Sequence, residues 1–379
     1  YTLIIKTSEP VPTLPRLLTN VLVIRAEDED TSTGEFNDGQ AIGTGPYKLA
    51  EWNRGESLIV ERYDDYWGEL PEWQTVEERV LANDQARTAA LLSGDVDVIN
   101  FVPVADMPRL REDEDFNLFQ GPLGRIHYIH MDSNRDASPH VNGGEAPNPL
   151  KNPQVRKALS LAINREAIID RLLLGTGEPA GQMLPSSFEG TSPNLEPDPY
   201  DPERAKELLA EAGYPDGFSM TFHATNGRYP SDVEIAQAIA QMWSRLGLDV
   251  EVEALARTIF FPRATDFEFS IYTAQYGTPD ALDMAISMLH SRDAERGLGN
   301  GNRARYANEE VDALIQQAMV ELDAEQRAAL LAEAYETAMA DTAVIPLYYP
   351  AFVCAAREGL DVAIRANGRL TAMRVSRVE

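Results

Sequence analysis

The sequence contains little cysteine, little lysine and no long apolar run. Cys354 is the single cysteine among 379 residues, so the chain can form no internal disulfide. It sits in an apolar segment, which predicts a buried, inert thiol and not a nucleophile. No uninterrupted stretch of about 20 apolar residues is present, which is the length that a membrane-spanning helix needs. These features exclude a disulfide-stapled scaffold and give no sign of a helical membrane protein.

The charge is strongly acidic. The chain has 61 acidic and 33 basic residues, a formal net charge of −28 at pH 7, and only 5 of the basic residues are lysine. Binding to nucleic acid requires clustered cations that displace counterions from phosphates. We therefore predict that nucleic acid is not a partner of this protein.

Motifs for catalysis and metal binding are also missing from the sequence. It has no Walker A motif, no GxSxG elbow, no HExxH and no CxxC. The five histidines are scattered, and His127 and His130 are three apart on a predicted strand, so they should face opposite sides of it. The sequence predicts a protein without catalytic residues, metal ligands or a cofactor.

The most ordered local pattern lies in residues 41–68. Gly43, Gly45 and Pro46 form a turn that leads into a strand of alternating apolar and polar residues, not into the helix that a phosphate loop would require. A second turn around Gly55 returns the chain as a partner strand. We interpret this block as a structural hairpin.

Beyond residue 150, predicted helices and strands alternate. Residues 154–174 have the apolar spacing of one helix, and Asp201 and Pro202 open another that ends at Gly213. Strands are expected at residues 218–224, 248–255 and 267–272. This order predicts an α/β lobe with a mainly parallel sheet, within a chain long enough for two or three domains.

Three segments resemble one family. The segment GTGPYKLAEW within residues 41–68, LANDQARTAALLSGDVDVI within residues 73–99, and NPQVRKALSLAINREAIIDRLLLGTGEPAGQMLPSSFEG in residues 151–190 are similar to the peptide/nickel class of extracellular solute-binding proteins, family 5. These are the ligand-capturing subunits of bacterial ABC importers.

The resemblance implies a periplasmic-binding-protein-like fold, type II of cluster C, with two lobes joined by a hinge. Residues 1–133 are expected to belong to lobe I, residues 134–345 to lobe II, and residues 346–379 to return to lobe I. Family members carry a further segment before the position of Tyr1, with an export signal, and we expect it as a missing N-terminal segment of the same protein.

The resemblance also implies the function. We expect a subunit that captures an oligopeptide or peptide-like small solute by hinge closure and delivers it to ABC permease transmembrane subunits. Its location would be periplasmic, or lipid-anchored at the outer face of the cytoplasmic membrane. The alternatives are a nickel-chelate or haem carrier of the same family, and a hydrolase.

The strongest ligand-site candidate is residues 274–283, where a predicted strand ends in a Gly/Pro turn with two carboxylates. Ligands favour the carboxyl edge of a sheet in α/β lobes. Peptide-binding relatives place an aromatic residue and an aspartate here; Tyr276 matches the aromatic position, whereas Asp280 aligns only with a shift. Asp280 and Asp283 could instead cap and lead a helix from Ala281.

Two further groups are candidates. Arg303 and Arg305 follow a glycine-rich loop and could clamp a carboxylate, or could simply be solvated. Tyrosines on the strands that the resemblance assigns to the hinge could line the cleft, or could belong to the core. The predicted ligand-binding residues are Tyr276, Gly277, Thr278, Asp280, Asp283, Arg303, Arg305, Tyr128, Tyr348 and Tyr349.

Overall fold

A computed structural model describes residues 2–36, 42–144, 148–278 and 280–378. The strands are β1 (Tyr47–Asn53), β2 (Ser57–Arg62), β3 (Thr75–Arg79), β4 (Val98–Asn100), β5 (Phe116–Pro122), β6 (Arg125–Met131), β7 (Val141–Asn142), β8 (Gly177–Pro179), β9 (Ser219–Asn226), β10 (Asp249–Ala256), β11 (Ile271–Gly277), β12 (Val344–Arg357), β13 (Leu360–Val362) and β14 (Val375–Arg377). The helices are α1 (Leu14–Leu17), α2 (Thr33–Glu35), α3 (Asp84–Ser93), α4 (Met107–Glu112), α5 (Pro153–Leu161), α6 (Arg165–Leu172), α7 (Pro202–Glu211), α8 (Asp232–Ser244), α9 (Arg257–Thr265), α10 (Ala281–Met288), α11 (Glu309–Val320) and α12 (Ala324–Ala340).

The chain divides into two compact units. Unit 1 comprises Tyr1–Pro12 and Pro122–Ala351, and unit 2 comprises Thr13–Gly121 and Phe352–Glu379. The predicted boundaries, after residues 133 and 345, both fall inside unit 1. The division lies elsewhere because β6 and the first part of β12 pair with each other within unit 1.

Unit 1 is built on a mixed sheet in the order β10-β9-β11-β6-β12, with β7 beside β9 and β8 beside β12. Strands β9, β10 and β11 are parallel, as the alternation of helices and strands predicts. Strand β6 is antiparallel to both of its neighbours, β11 and β12. The prediction of an α/β lobe is therefore confirmed, but the sheet is less uniformly parallel than expected.

Helices cover both faces of this sheet. Ile129 and Tyr128, adjacent on β6, belong to two different buried clusters, because successive residues of a strand point to opposite faces. On the first face, the Trp243 ring of α8 packs edge-on against Phe222 of β9. On the second face, the Tyr335 hydroxyl of α12 donates to the carbonyl of Ala281.

Side-chain caps explain where several helices begin. The Asp201 side chain accepts the Arg204 N–H and Pro202 is the first helical residue, as predicted. The single helix expected over residues 154–174 is instead two helices, α5 and α6. They separate because the Asn164 side chain accepts the Ala167 N–H and so starts a new helix.

Unit 2 contains the predicted hairpin. Strands β1 and β2 pair antiparallel around Gly55, whose φ of 78° lies in the left-handed region, and β3 adds a third strand. Strand β4 pairs with the end of β12, and β13 pairs with β14. Residues 2–7 form no strand, and residue 41 of the predicted hairpin block lies outside the described residues.

Candidate functional site

Parallel strands of unit 1 end together at one edge of the sheet. Ala256, the last residue of β10, is the register partner of Asn226, the last residue of β9. Strand β11 runs parallel to β9 and ends at Gly277. The antiparallel strand β6 begins at the same edge, where Arg125 is the partner of Gly277. The predicted site therefore lies at the carboxyl edge of a sheet, the position where ligands bind in open α/β folds.

Three predicted residues follow each other at this edge. Tyr276 is half-buried and packs against the second cluster, Gly277 is exposed, and Thr278 is half-buried. A Cβ atom at Gly277 would lie 3.1 Å from the Nε atom of Arg125 and 3.2 Å from the Gly124 carbonyl oxygen. Glycine thus leaves room for the Arg125 side chain. Residue 279 lies outside the described residues.

The two predicted carboxylates belong to the start of α10. Asp280 is buried, and its side chain accepts the backbone N–H of Asp283, which makes it the N-cap. Asp283 is exposed in the first helical turn, where a negative charge interacts favourably with the helix dipole. The helix-capping alternative therefore accounts for the position of both residues.

The three predicted tyrosines pack in or against the two buried clusters. Tyr128 is 1% exposed and belongs to the second cluster, and Tyr348 is 2% exposed, with its hydroxyl 2.7 Å from Nδ1 of His127. The half-buried Tyr349 donates its hydroxyl to the carbonyls of Gln182 and Leu184, at 2.9 Å each. Burial raises the pKa of all three hydroxyls. The contacts of the three tyrosines are those of core residues.

The two predicted arginines lie by the opposite end of β11. The Nε atom of Arg303 donates to the Thr265 hydroxyl at 3.2 Å, and the Arg305 guanidinium lies 4.3 Å from the Phe267 ring centroid. Thr265 and Phe267 precede β11, which is seven residues long and so spans about 20 Å. The structure therefore does not bring these arginines together with Gly277 and Thr278.

Sequence reasoning missed two arginines at the carboxyl edge. Arg125 is half-buried at the start of β6, and Arg228 is exposed in the loop after β9, with its guanidinium 5.3 Å from the Tyr229 ring centroid. Burial is the largest cause that lowers the pKa of Arg125, and the positive charge of Arg228 lowers it further. Sequence spacing gave no signal for these two arginines. The pairing of β6 with β11 brings Arg125 to this edge, and the loop after β9 carries Arg228.

The buried carboxylate of Asp232 holds the loop that carries Arg228. It accepts the backbone N–H groups of Gly227, Arg228 and Tyr229 at 3.1, 2.9 and 3.2 Å, and the Thr225 hydroxyl at 2.8 Å. These bonds fix the loop at the edge of the sheet. Asp232 is thus a positioning residue.

Four histidines, His127, His130, His223 and His290, are buried in unit 1. His127 contacts Tyr348 of the first cluster, whereas His130 lies 2.7 Å from the hydroxyl of Tyr272 in the second, so they face opposite sides as predicted. Burial lowers the pKa of both to about 3, and that of His223 to about 4. Among the described residues, no group of three or more histidine, cysteine, aspartate or glutamate side chains has an arrangement that could hold a metal ion.

Two further sequence expectations can be compared with the structure. Cys354 is buried, and burial raises the pKa of its thiol to about 12, which agrees with an inert cysteine. Within the described ranges, no helix has the length and apolar character required to cross a membrane.

The chain belongs to a defined protein family. The family described as "Bacterial extracellular solute-binding proteins, family 5 Middle" matches residues 1–296, so the chain is a member of it. This confirms the resemblance inferred from residues 41–68, 73–99 and 151–190.

Curated relatives of this chain bind different solutes. Heme-binding protein A of Haemophilus influenzae is 27% identical over 310 residues, 79% of this chain and 53% of that protein. Glutathione-binding protein GsiB of Salmonella paratyphi A is 28% identical over 329 residues, 84% of this chain and 61% of that protein. The chain thus spans just over half of the length of these relatives.

Solved structures show the same fold. The substrate-binding protein CtaP from Listeria monocytogenes superposes with a TM-score of 0.84 at 21% identity, covering 98% of this chain and 75% of that one. The periplasmic binding protein DppA from Helicobacter pylori, in complex with the peptide STSA, gives a TM-score of 0.75 at 23% identity, covering 98% and 71%. The periplasmic-binding-protein-like α/β fold is therefore established.

Proposed function

We propose that this protein is the substrate-binding subunit of an ABC importer, and that it captures an oligopeptide or peptide-like small solute. The family match over residues 1–296 carries the proposal. Relatives named for glutathione and for a bound peptide support a peptide-like cargo. Capture by hinge closure and delivery to the permease subunits, which the family implies, are part of the proposal, as is binding without chemical turnover.

The ligand would bind at the carboxyl edge of the unit 1 sheet. Tyr276 offers a half-buried aromatic surface there, Gly277 exposes backbone, and Thr278 supplies a hydroxyl. Asp283 adds an exposed carboxylate in the first turn of α10, and the Asp280 cap determines where α10 begins. We propose the first three as ligand contacts and Asp280 as a positioning residue.

The location follows from the family. Family 5 proteins are extracellular solute-binding proteins, so we propose a site of action outside the cytoplasmic membrane. Release into a periplasm and a lipid anchor at the outer face of the cytoplasmic membrane are two forms of this proposal, which fractionation with and without detergent would separate.

A haem or nickel-chelate carrier is the second candidate. One sequence relative is a haem-binding protein, and a similar fold is found in NikZ from Campylobacter jejuni in complex with Ni(L-His). The four buried histidines would serve poorly as axial ligands, since none is more than 3% exposed. A haem carrier would show Soret absorbance after reconstitution, and a nickel carrier would retain nickel on gel filtration. Turnover of a peptide or glycoside panel would support the hydrolase alternative instead.

A thermal-shift screen tests the main proposal. Peptides, opines, sugars, haem and nickel chelates would be added to the purified protein, since a ligand at 100 times its Kd stabilises the native state by about 2.7 kcal/mol. We expect a peptide-like ligand to raise the melting temperature, and Tyr276→Ala to reduce that rise. The matched control is Tyr200→Ala, because Tyr200 is an exposed tyrosine outside the proposed site.

A further inference from the structure

Arg125 occupies an unusual electrostatic position. It is half-buried at the first residue of β6, beside the carboxyl end of β11. Within the described ranges, the Arg125 guanidinium forms no salt bridge and no hydrogen bond, and no carboxylate acts on its pKa. Taking an arginine partly out of water costs free energy that such partners usually offset.

Other buried arginines of unit 1 show the usual solution. Arg156 donates to the carbonyls of Thr342, Leu150 and Lys151, at 2.9, 3.0 and 2.9 Å. Arg165 donates to the carbonyl of Pro346 at 2.8 Å and to the Ser160 hydroxyl at 2.7 Å. Arg125 has no such acceptors among the described residues, although the chain has 61 acidic residues.

A second positive charge acts on Arg125. The Arg228 guanidinium lies 5.3 Å from the Tyr229 ring centroid, and the Tyr229 hydroxyl donates to the Gln275 carbonyl at 3.4 Å, two residues before Gly277. Burial lowers the pKa of Arg125 most, Tyr229 acts to raise it, and the positive charge of Arg228 lowers it. The bonds from Asp232 to the backbone of residues 227–229 hold the loop of Arg228 in place. The fold therefore places two positive charges at one edge of the sheet, and their combined potential favours an anion there.

Space is also reserved for the Arg125 side chain. A Cβ atom at Gly277 would lie 3.1 Å from its Nε atom and 3.3 Å from its Cγ atom, closer than ordinary contact. Glycine at position 277 thus lets the guanidinium lie across the end of β11. This places a planar donor group beside the proposed ligand contact Gly277, on the face of the sheet opposite to the Tyr276 ring.

We propose that Arg125 binds a carboxylate group of the transported solute, with Arg228 raising the positive potential around it. A guanidinium can donate two parallel N–H bonds to one carboxylate, which gives orientation as well as affinity. This inference rests on the proposed function and narrows the cargo to solutes with a negative group at this position.

The first test compares ligand pairs. The probes are the dipeptides Ala-Ala, Ala-Phe and Ala-Glu, each compared with its C-terminal amide, and glutarate compared with glutaramide. Each probe is titrated calorimetrically into the wild-type protein, Arg125→Gln and Arg171→Gln. Arg171→Gln is the matched control, because it removes the same charge from an exposed position on α6. We expect the wild type and the control to prefer the carboxylate member about 10- to 100-fold, the ratio of a charge-assisted bond, and Arg125→Gln to lose that preference.

A second test needs no cargo. Thermal unfolding would be followed in citrate and in chloride at equal ionic strength, and we expect citrate to stabilise the wild type and Arg171→Gln more than Arg125→Gln. Equal citrate effects in Arg125→Gln and the wild type, or a carboxylate preference that survives the substitution, would overturn the inference while leaving the proposed function intact. Failure of every dipeptide to bind would count against the proposed cargo class, and the citrate comparison would still decide the role of Arg125.

Discussion

The hydroxyl of Tyr348 on β12 lies 2.7 Å from Nδ1 of His127 on β6, and the two rings pack with centroids 4.9 Å apart. The other ring nitrogen of His127 lies 2.8 Å from the Thr273 hydroxyl on β11. One imidazole therefore links three adjacent strands. Because it is buried, the neutral form is favoured and the pKa falls to about 3.

Stability should depend on pH through this histidine. Above about pH 6.5 the ring is neutral in both the native and the unfolded state. Between about 6.5 and 3 only the unfolded chain binds the proton, so the free energy of unfolding falls by roughly 1.4 kcal/mol per pH unit for each such group. Urea unfolding of the wild type and His127→Gln at pH 7.5, 6, 5 and 4 measures this. The variant should be less stable at pH 7.5 but show a shallower slope; parallel slopes would show that His127 titrates normally.

Asp280 should contribute to stability as a helix cap. Asp280→Ala removes the acceptor of the Asp283 N–H, and loss of an N-cap costs about 1 kcal/mol. Asp280→Asn keeps an acceptor oxygen and should be nearly as stable as the wild type. Chemical denaturation checks both variants. If Asp280→Asn is stable but loses ligand affinity, the aspartate binds ligand directly and its role goes beyond capping.

Asp232 should control the loop at the candidate site. Asp232→Ala leaves three backbone N–H groups and the Thr225 hydroxyl without their acceptor, so we expect a loss on the order of 3 kcal/mol. Amide hydrogen exchange should increase at residues 227–229. The outcome against this role would be unchanged protection in that loop, even if global stability fell.

Trp243 should anchor the first cluster. It is fully buried and its Nε1 atom donates to the Leu159 carbonyl at 2.9 Å. Trp243→Ala should cost about 3 to 5 kcal/mol through cavity formation, and Trp243→Phe should cost less because most of the packing remains. Urea denaturation at pH 7.5 would check the order; a Phe variant as unstable as the Ala variant would mean that the hydrogen bond dominates.

Local sequence signals predicted the helices and the hairpin well. Asp201 and Pro202 mark the start of α7, and Gly55 marks the turn between β1 and β2, because capping and turn chemistry act over a few residues. The strand end at Gly277 was predicted for the same reason. The break at Asn164 was missed, since the apolar spacing continues through it.

The electrostatic part of the site could not be predicted in the same way. Arg125 faces Gly277 only because β6 pairs antiparallel with β11, and Arg228 approaches through a loop held by Asp232. The contact of Arg125 with Gly277 joins residues far apart in sequence, and the position of Arg228 depends on the course of its loop. Arg303 and Arg305 were candidates because they follow a glycine-rich loop, and in the structure they contact Thr265 and Phe267 by the other end of β11.

The most direct test of solute capture is equilibrium binding by titration calorimetry, with the purified, ligand-free protein and the peptide-like compounds that give the largest thermal shifts. The account predicts saturable binding of one ligand per chain, without turnover of the ligand after prolonged incubation. Absence of saturable binding by a folded, ligand-free protein across the peptide, opine, sugar and chelate classes would contradict it.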